Sequence, residues 1–169
     1  TARAMLQYDK TNLYLAFRVD SPAYRKRVTA RDKEIWDDDS VEFHVMGTDG
    51  KPRHFIFNAN GAVYDSKSGK AAWNAKNLRA AGSHNKNAWS VEVAIPLAEL
   101  GGKIGKNTIL KGNFGSNNWK ARTNYHTWNY VYGYLKGYAS PEFFGDLIFG
   151  GKHDGVQFIK YGTPEQGAL

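Results

Sequence analysis

Apolar and polar residues alternate with a period of two in segment after segment of this chain, the pattern of strands that bury one face. Leu13, Leu15, Phe17 and Val19 are interleaved with Tyr14, Ala16 and Arg18. Val41, Phe43 and Val45 are interleaved with Glu42 and His44. Trp89, Val91, Val93 and Ile95 share one face, which predicts that Trp89 is a core residue. Shorter runs of strand character occupy 5–8, 53–58, 62–65, 78–82, 109–114 and 144–149. Turn chemistry separates them. Asp9-Lys10-Thr11-Asn12 closes a first hairpin, Thr48-Asp49-Gly50-Lys51-Pro52 a second, and Asn60-Gly61 a third. Helix signals are sparse. Pro96-Leu97-Ala98-Glu99-Leu100-Gly101 predicts one helical turn, with proline at its start and glycine at its end. The polar stretch 23–34 predicts at most one more. Strands about a dozen residues apart, with under about a tenth of the chain in helix, predict an all-β antiparallel sandwich of jelly-roll or immunoglobulin-like type.

The sandwich is expected to fill residues 1–149. Residues 150–169 are glycine-rich, and Val156-Gln157-Phe158-Ile159 predicts an extra strand there or the start of a linker. A length of 169 residues fits one domain, and 41% hydrophobic residues can fill its core. The absence of cysteine excludes disulfides and thiolate metal sites. No apolar run approaches the ~20 residues that a spanning helix needs. The chain opens at Thr1 without an initiator methionine, which predicts a piece processed or excised from something longer.

A net charge of +7 makes nucleic acid the first partner to consider. The 23 lysines and arginines are scattered, however. The densest group, Arg25-Lys26-Arg27 with Arg31 and Lys33, is short. No helix-turn-helix, zinc-finger or RNA-recognition signature accompanies it. A mixed-charge surface without a nucleic-acid partner is the expectation.

Two places concentrate chemistry. Trp36-Asp37-Asp38-Asp39 sits just ahead of the strand at 41–46, and a flat ring beside carboxylates suits a sugar: the ring stacks on the apolar pyranose face and the carboxylates accept hydroxyls. The second is 117–138, where Asn117, Asn118, Trp119, Arg122, Asn124, Tyr125, His126 and Trp128 interleave polar and flat groups. Tyr130, Tyr132 and Tyr134 share one face and read as ordinary strand residues. Glu42 should point away from the core, since Val41 and Phe43 point in. Glu42 and Glu92 are the carboxylates that could serve a glycosidase, which needs two across a cleft about 5 to 9 Å apart. His44 and His54 sit on strands that could bring them together, as structural histidines or a metal pair.

The order of segments resembles carbohydrate-binding modules of family 9, within the wider DOMON-like sandwich group. The matching residues are Asn12-Leu13-Tyr14-Leu15-Ala16-Phe17 with Asp20, Trp36-Asp37-Asp38-Asp39-Ser40-Val41-Glu42, and Phe57-Asn58-Ala59-Asn60-Gly61 with Tyr64-Asp65. They continue with residues 89–100, Asn113-Phe114, Trp128 and Phe144-Gly145-Asp146-Leu147. An earlier segment with an Asp-Gly turn and a tryptophan, usual in such modules, is missing. Ser116 stands where an arginine often follows Asn-Phe.

The resemblance implies a non-catalytic module that binds an oligosaccharide or polysaccharide of β-glucan or xylan type. It implies tethering to a secreted bacterial glycan-degrading enzyme, outside the cell or in the periplasm. Trp36 and Trp128 would be the two aromatic walls around a sugar and Glu42 the polar floor, with Asn117, Arg122 and Tyr125 adding contacts. It also implies a structural Ca²⁺, for which Asp37, Asp38, Asp39 and Asp65 supply hard oxygens. Other DOMON-like sandwiches hold haem b through methionine with histidine or lysine. Met46 near His44 and His54 is the corresponding alternative here, with Met5 the only other methionine.

Overall fold

The computed structural model describes residues 1–119, 125–128, 140–150 and 155–159. These residues form strands β1 (Ala2–Tyr8), β2 (Asn12–Asp20), β3 (Ser40–Met46), β4 (Pro52–Asn58), β5 (Val63–Lys67) and β6 (Arg79–His84). They continue with β7 (Ala88–Pro96), β8 (Ile109–Asn117), β9 (Tyr125–Thr127), β10 (Gly145–Phe149) and β11 (Val156–Ile159). Two antiparallel sheets result. The smaller has the order β1-β2-β7-β6, and the larger β11-β10-β8-β3-β4-β5, with β9 paired to β8. The chain is the antiparallel β-sandwich that the alternation predicts.

One face of each sheet supplies the core. Leu13, Leu15, Phe17 and Val19 of β2 and Trp89, Val91, Val93 and Ile95 of β7 meet Val41, Phe43 and Val45 of β3 and Phe55 and Phe57 of β4. Phe17 crosses between the sheets, 6.5 Å from Phe57 and 6.0 Å from Phe114. Phe43 lies stacked between Phe55 at 6.1 Å and Phe114 at 5.1 Å. Such aromatic pairs add on the order of 1 kcal/mol each to what their burial contributes.

The turns form as their residues dictate. Asp9 Oδ1 accepts the backbone N–H groups of Thr11 and Asn12, each at 2.7 Å, and Tyr14 donates its hydroxyl to Oδ2 at 2.8 Å. Gly61 takes φ +75°, the left-handed conformation that the Asn60-Gly61 turn requires. A Cβ there would also meet the backbone of Gly82 at 2.8 Å. Residues 97–100 form the expected helical turn, as a short 3-10 helix ending at Gly101.

Three details depart from expectation. β8 runs three residues past 114, to Asn117, and is hydrogen-bonded to β3 and β10 along its length. Gly115, Ser116 and Asn117 carry no apolar alternation, so nothing local marks them as strand. The three-residue β9 pairs with that extension and is equally silent in pattern. Residues 23–34 hold no helical turn; one forms at Ile35–Asp37 instead. Val156–Ile159 does form a strand, adding to the edge of the larger sheet against β10.

Trp89 is 1% exposed, and its indole Nε1 has no hydrogen-bond partner among the described residues. Its contribution is therefore volume and apolar area. Trp89→Ala should destabilise the fold by about 3 kcal/mol or more. Trp89→Phe, which leaves no donor stranded, should cost about half that or less. Urea unfolding of the two variants measures the difference.

Candidate functional site

Glu42 and its neighbours occupy the outer face of the larger sheet, behind the core. The register places three rows there. Asn117, Ser40 and Asn58 lie side by side on β8, β3 and β4. Gly115, Glu42, Ile56 and Tyr64 form the next row, and Asn113, His44, His54 and Ser66 the third. Directly opposed residues of an antiparallel pair share a face, so the alternation of β3 alone sets this polar surface against the apolar one beneath it.

Glu42 is 4% exposed and hydrogen-bonded on both carboxylate oxygens. His44 Nε2 lies 3.1 Å and His54 Nε2 2.6 Å from Oε2, while Asn117 Nδ2 donates to Oε1. Asn117 also donates to Ser40 Oγ at 3.1 Å. Burial pushes the Glu42 carboxyl up, but the hydrogen bonds from His44 and His54 outweigh it and hold the group well below the usual carboxylate range. Burial lowers the His44 pKa, against the opposing bond to Glu42, and favours the neutral ring. The two imidazoles stack with centroids 3.9 Å apart.

Trp36 stands at the rim of this face. Ile35 is fully buried against Ile56 and Ala62 and pins the short 3-10 turn. Trp36 is left 49% exposed, its ring edge-on to Tyr64 at 5.5 Å. Tyr64 in turn meets His54 at 5.9 Å. Ring contacts thus run from Trp36 to the imidazoles that hold Glu42.

The segment before Trp36 is tied down by the aspartates that follow Trp36. Asp38 is completely buried and accepts the backbone N–H groups of Arg27 and Val28 and the side-chain amide of Asn58, at 2.8–2.9 Å. Asp39 accepts the Arg25 N–H at 2.7 Å. Burial raises the Asp39 pKa despite that bond. Arg25 lays its guanidinium over the ring of Trp119, 4.1 Å from the centroid. Trp119 is 36% exposed and lies two residues beyond Asn117, so β8 delivers a second aromatic beside the strap that carries Trp36.

The structure therefore brings Trp36, Glu42 and Asn117 to one side of the sheet. It does not bring Trp128 there. The Trp128 ring meets Phe114 edge-on at 5.5 Å and packs against the main core, on the opposite side of β8 from Asn113 and Asn117. Its backbone N–H bonds to the Phe114 carbonyl at 2.9 Å, which fixes that placement. Tyr125 pairs through its backbone with Asn117. Arg122 lies outside the described residues, as do Asn124, Tyr130, Tyr132 and Tyr134.

The four aspartates expected to hold Ca²⁺ do not make an oxygen cage. Asp37 is exposed. Asp38 and Asp39 direct their oxygens to N–H donors. Asp65 accepts Arg31 Nη2 at 2.6 Å and the Ala75 N–H at 2.7 Å, and burial raises its pKa. A cation that wants six to eight oxygens finds none of them pooled. Glu92 is exposed on β7 of the smaller sheet, so it and Glu42 face away from each other and flank no common cleft. In the haem alternative His44 and His54 would turn to iron beside Met46, whereas both rings are engaged with Glu42.

Solved structures with this architecture share it at low identity. One is a candidate carbohydrate-binding protein from Bacteroides uniformis, at 20% identity and TM-score 0.68, with 83% of this chain and 74% of that one covered. Two are structures of a carbohydrate-binding module from Caldicellulosiruptor kristjanssonii. The complex with glucose gives 19% identity and TM-score 0.68 over 91% of this chain and 78% of that one. The complex with cellotriose gives 18% and 0.67 over 91% and 77%. The fold is thus the antiparallel β-sandwich that these structures share. The family model for carbohydrate family 9 binding domain-like proteins matches residues 1–152, and the chain belongs to that family. Among curated proteins none matches.

Asp38 and Asp37 separate the structural from the solvated aspartates. Asp38→Ala leaves three donors without their acceptor and should cost about 3 kcal/mol. Asp37→Ala should stay within about 0.5 kcal/mol. Thermal and denaturant melts of the two variants check this.

Proposed function

We propose that this chain is a non-catalytic carbohydrate-binding module and that the outer face of its larger sheet, from Trp36 to Asn117, holds a sugar ring. The carrying observation is an exposed Trp36 at the rim of a largely polar sheet face whose middle holds a buried, ionised Glu42. A pyranose offers two kinds of surface: apolar C–H faces and equatorial hydroxyls. Trp36 stacks on the first, and Glu42 and Asn117 accept and donate to the second. Trp119 serves as the second wall, the role the resemblance assigns to Trp128, because Trp128 turns to the core while Trp119 stands beside the Asp38–Asp39 strap. The glycan is a β-glucan or xylan type. Membership of the family and the glucose and cellotriose bound by two structures of like fold support that choice.

The wider setting is an extracellular or periplasmic bacterial protein that degrades glycans. A module tethered to an enzyme raises the local concentration of substrate without adding catalytic contacts. The separation of Glu42 from Glu92 on opposite outer faces supports a binding role over hydrolysis.

Calorimetry with glucose, cello-oligosaccharides and xylo-oligosaccharides, and pull-down on the insoluble polymers, test the reading. Trp36→Ala should weaken binding tenfold or more, about 1.4 kcal/mol, with an unchanged melting temperature. Trp119→Ala should weaken it comparably. If the wild-type chain binds none of these glycans, or if Trp36→Ala binds them as the wild type does, the site is elsewhere or the ligand is different.

A further inference from the structure

Two imidazoles and a carboxylate on β3 and β4 aim donor atoms at one spot. His44 Nε2 and His54 Nε2 lie 3.1 and 2.6 Å from Glu42 Oε2, and one ligand atom from each residue falls within 4.8 Å of the other two. Bonds of about 2.0–2.2 Å to a tetrahedral or octahedral ion set neighbouring ligand atoms roughly 3 Å apart. The two distances to Glu42 Oε2 are of that order, and the three ligand atoms lie close enough for one ion to draw them together. We propose that Glu42, His44 and His54 bind one divalent first-row transition-metal ion of the zinc class on the floor of the polar sheet face.

The donor set selects the ion. Two imidazoles and one carboxylate suit Zn²⁺ and its neighbours, and not Ca²⁺, which takes oxygens. The ligands come from two adjacent hydrogen-bonded strands, so their backbones are rigidly placed. Asn117 donates to the other carboxylate oxygen and orients Oε2 toward the histidines, as outer partners of metal ligands do. With an ion bound, each ring would keep its proton on Nδ1 and give the ion the Nε2 that otherwise faces Glu42. His54 is the most exposed of the three, its side chain 28% accessible against 4% and 5%, and it marks the route by which an ion enters. The site stands independently of the sugar reading, although Glu42 and Asn117 belong to both.

The test uses the chain without a polyhistidine tag, stripped with chelator and titrated with ZnCl₂ by calorimetry. The expected result is one ion per chain, with a melting temperature that rises as Zn²⁺ is added. Co²⁺ in its place should give a visible ligand-field absorption band. His54→Gln, at the half-exposed edge where folding is least at risk, should abolish both the saturable heat and the band. Asn117→Ala should weaken binding about tenfold. Absence of stoichiometric binding to the wild-type chain overturns the proposal. So does binding that survives His54→Gln, which would mean ions held elsewhere on the surface. Glycan binding measured in chelator is a separate readout, so a chain that binds sugar but no ion refutes the metal site alone, and the reverse refutes the sugar site alone.

Discussion

A carboxylate withdrawn from water costs several kcal/mol unless donors are aimed at it. Two buried carboxylates, Asp38 and Glu42, govern how β3 presents its outer face. Asp38 collects N–H groups from Arg27, Val28 and Asn58, and so fastens the 25–28 strap to the start of the strand. Glu42 collects His44, His54 and Asn117, and so joins β3 to β4 and β8 on the side away from the core. Neither cluster forms without the sheet, because the register alone sets Asn58 and His54 on β4, and Asn117 on β8, within reach. The apolar side of the same strands, Val41, Phe43 and Val45, supplies the burial that holds the sheet together. Structure and site are two sides of one alternation.

Much of the fold was legible because burial on one face writes itself into a period of two. β2, β3 and β7 carry that period without interruption, and the Asn60-Gly61 turn announces its hairpin. The end of β8 was not legible: Gly115, Ser116 and Asn117 are strand because β3 and β9 pair with them, and pairing across distant segments leaves no local mark. The site divides in the same way. The outward direction of Glu42 follows from its neighbours, and the pinning of Trp36 by Ile35 lies in adjacent residues. The acidic run reads as a solvated turn or a cation site. Asp37 is solvated, but Asp38 and Asp39 are buried, because N–H donors reach them from residues ten or more positions away in the chain. Trp128 and Trp119 look alike in a run of polar and aromatic residues. Only the chain path sends one ring to Phe114 and leaves the other under Arg25.

The separation of faces also orders the chemistry. Glu92 and Glu42 lie on outward faces of different sheets, so the sandwich core stands between these two glutamates. The outer face of the larger sheet carries buried Glu42, two histidines and an aromatic rim, and Glu92 does not face Glu42 across it.

The Asp38 staple has a consequence for affinity. Loops that fold around a ligand spend part of the contact energy on losing their own freedom. The strap at 25–28 has already lost it, since its amides end on carboxylates fixed in the body of the protein. A ligand that settles against Trp36 meets a surface ordered in advance, so a few good contacts can count almost in full toward binding.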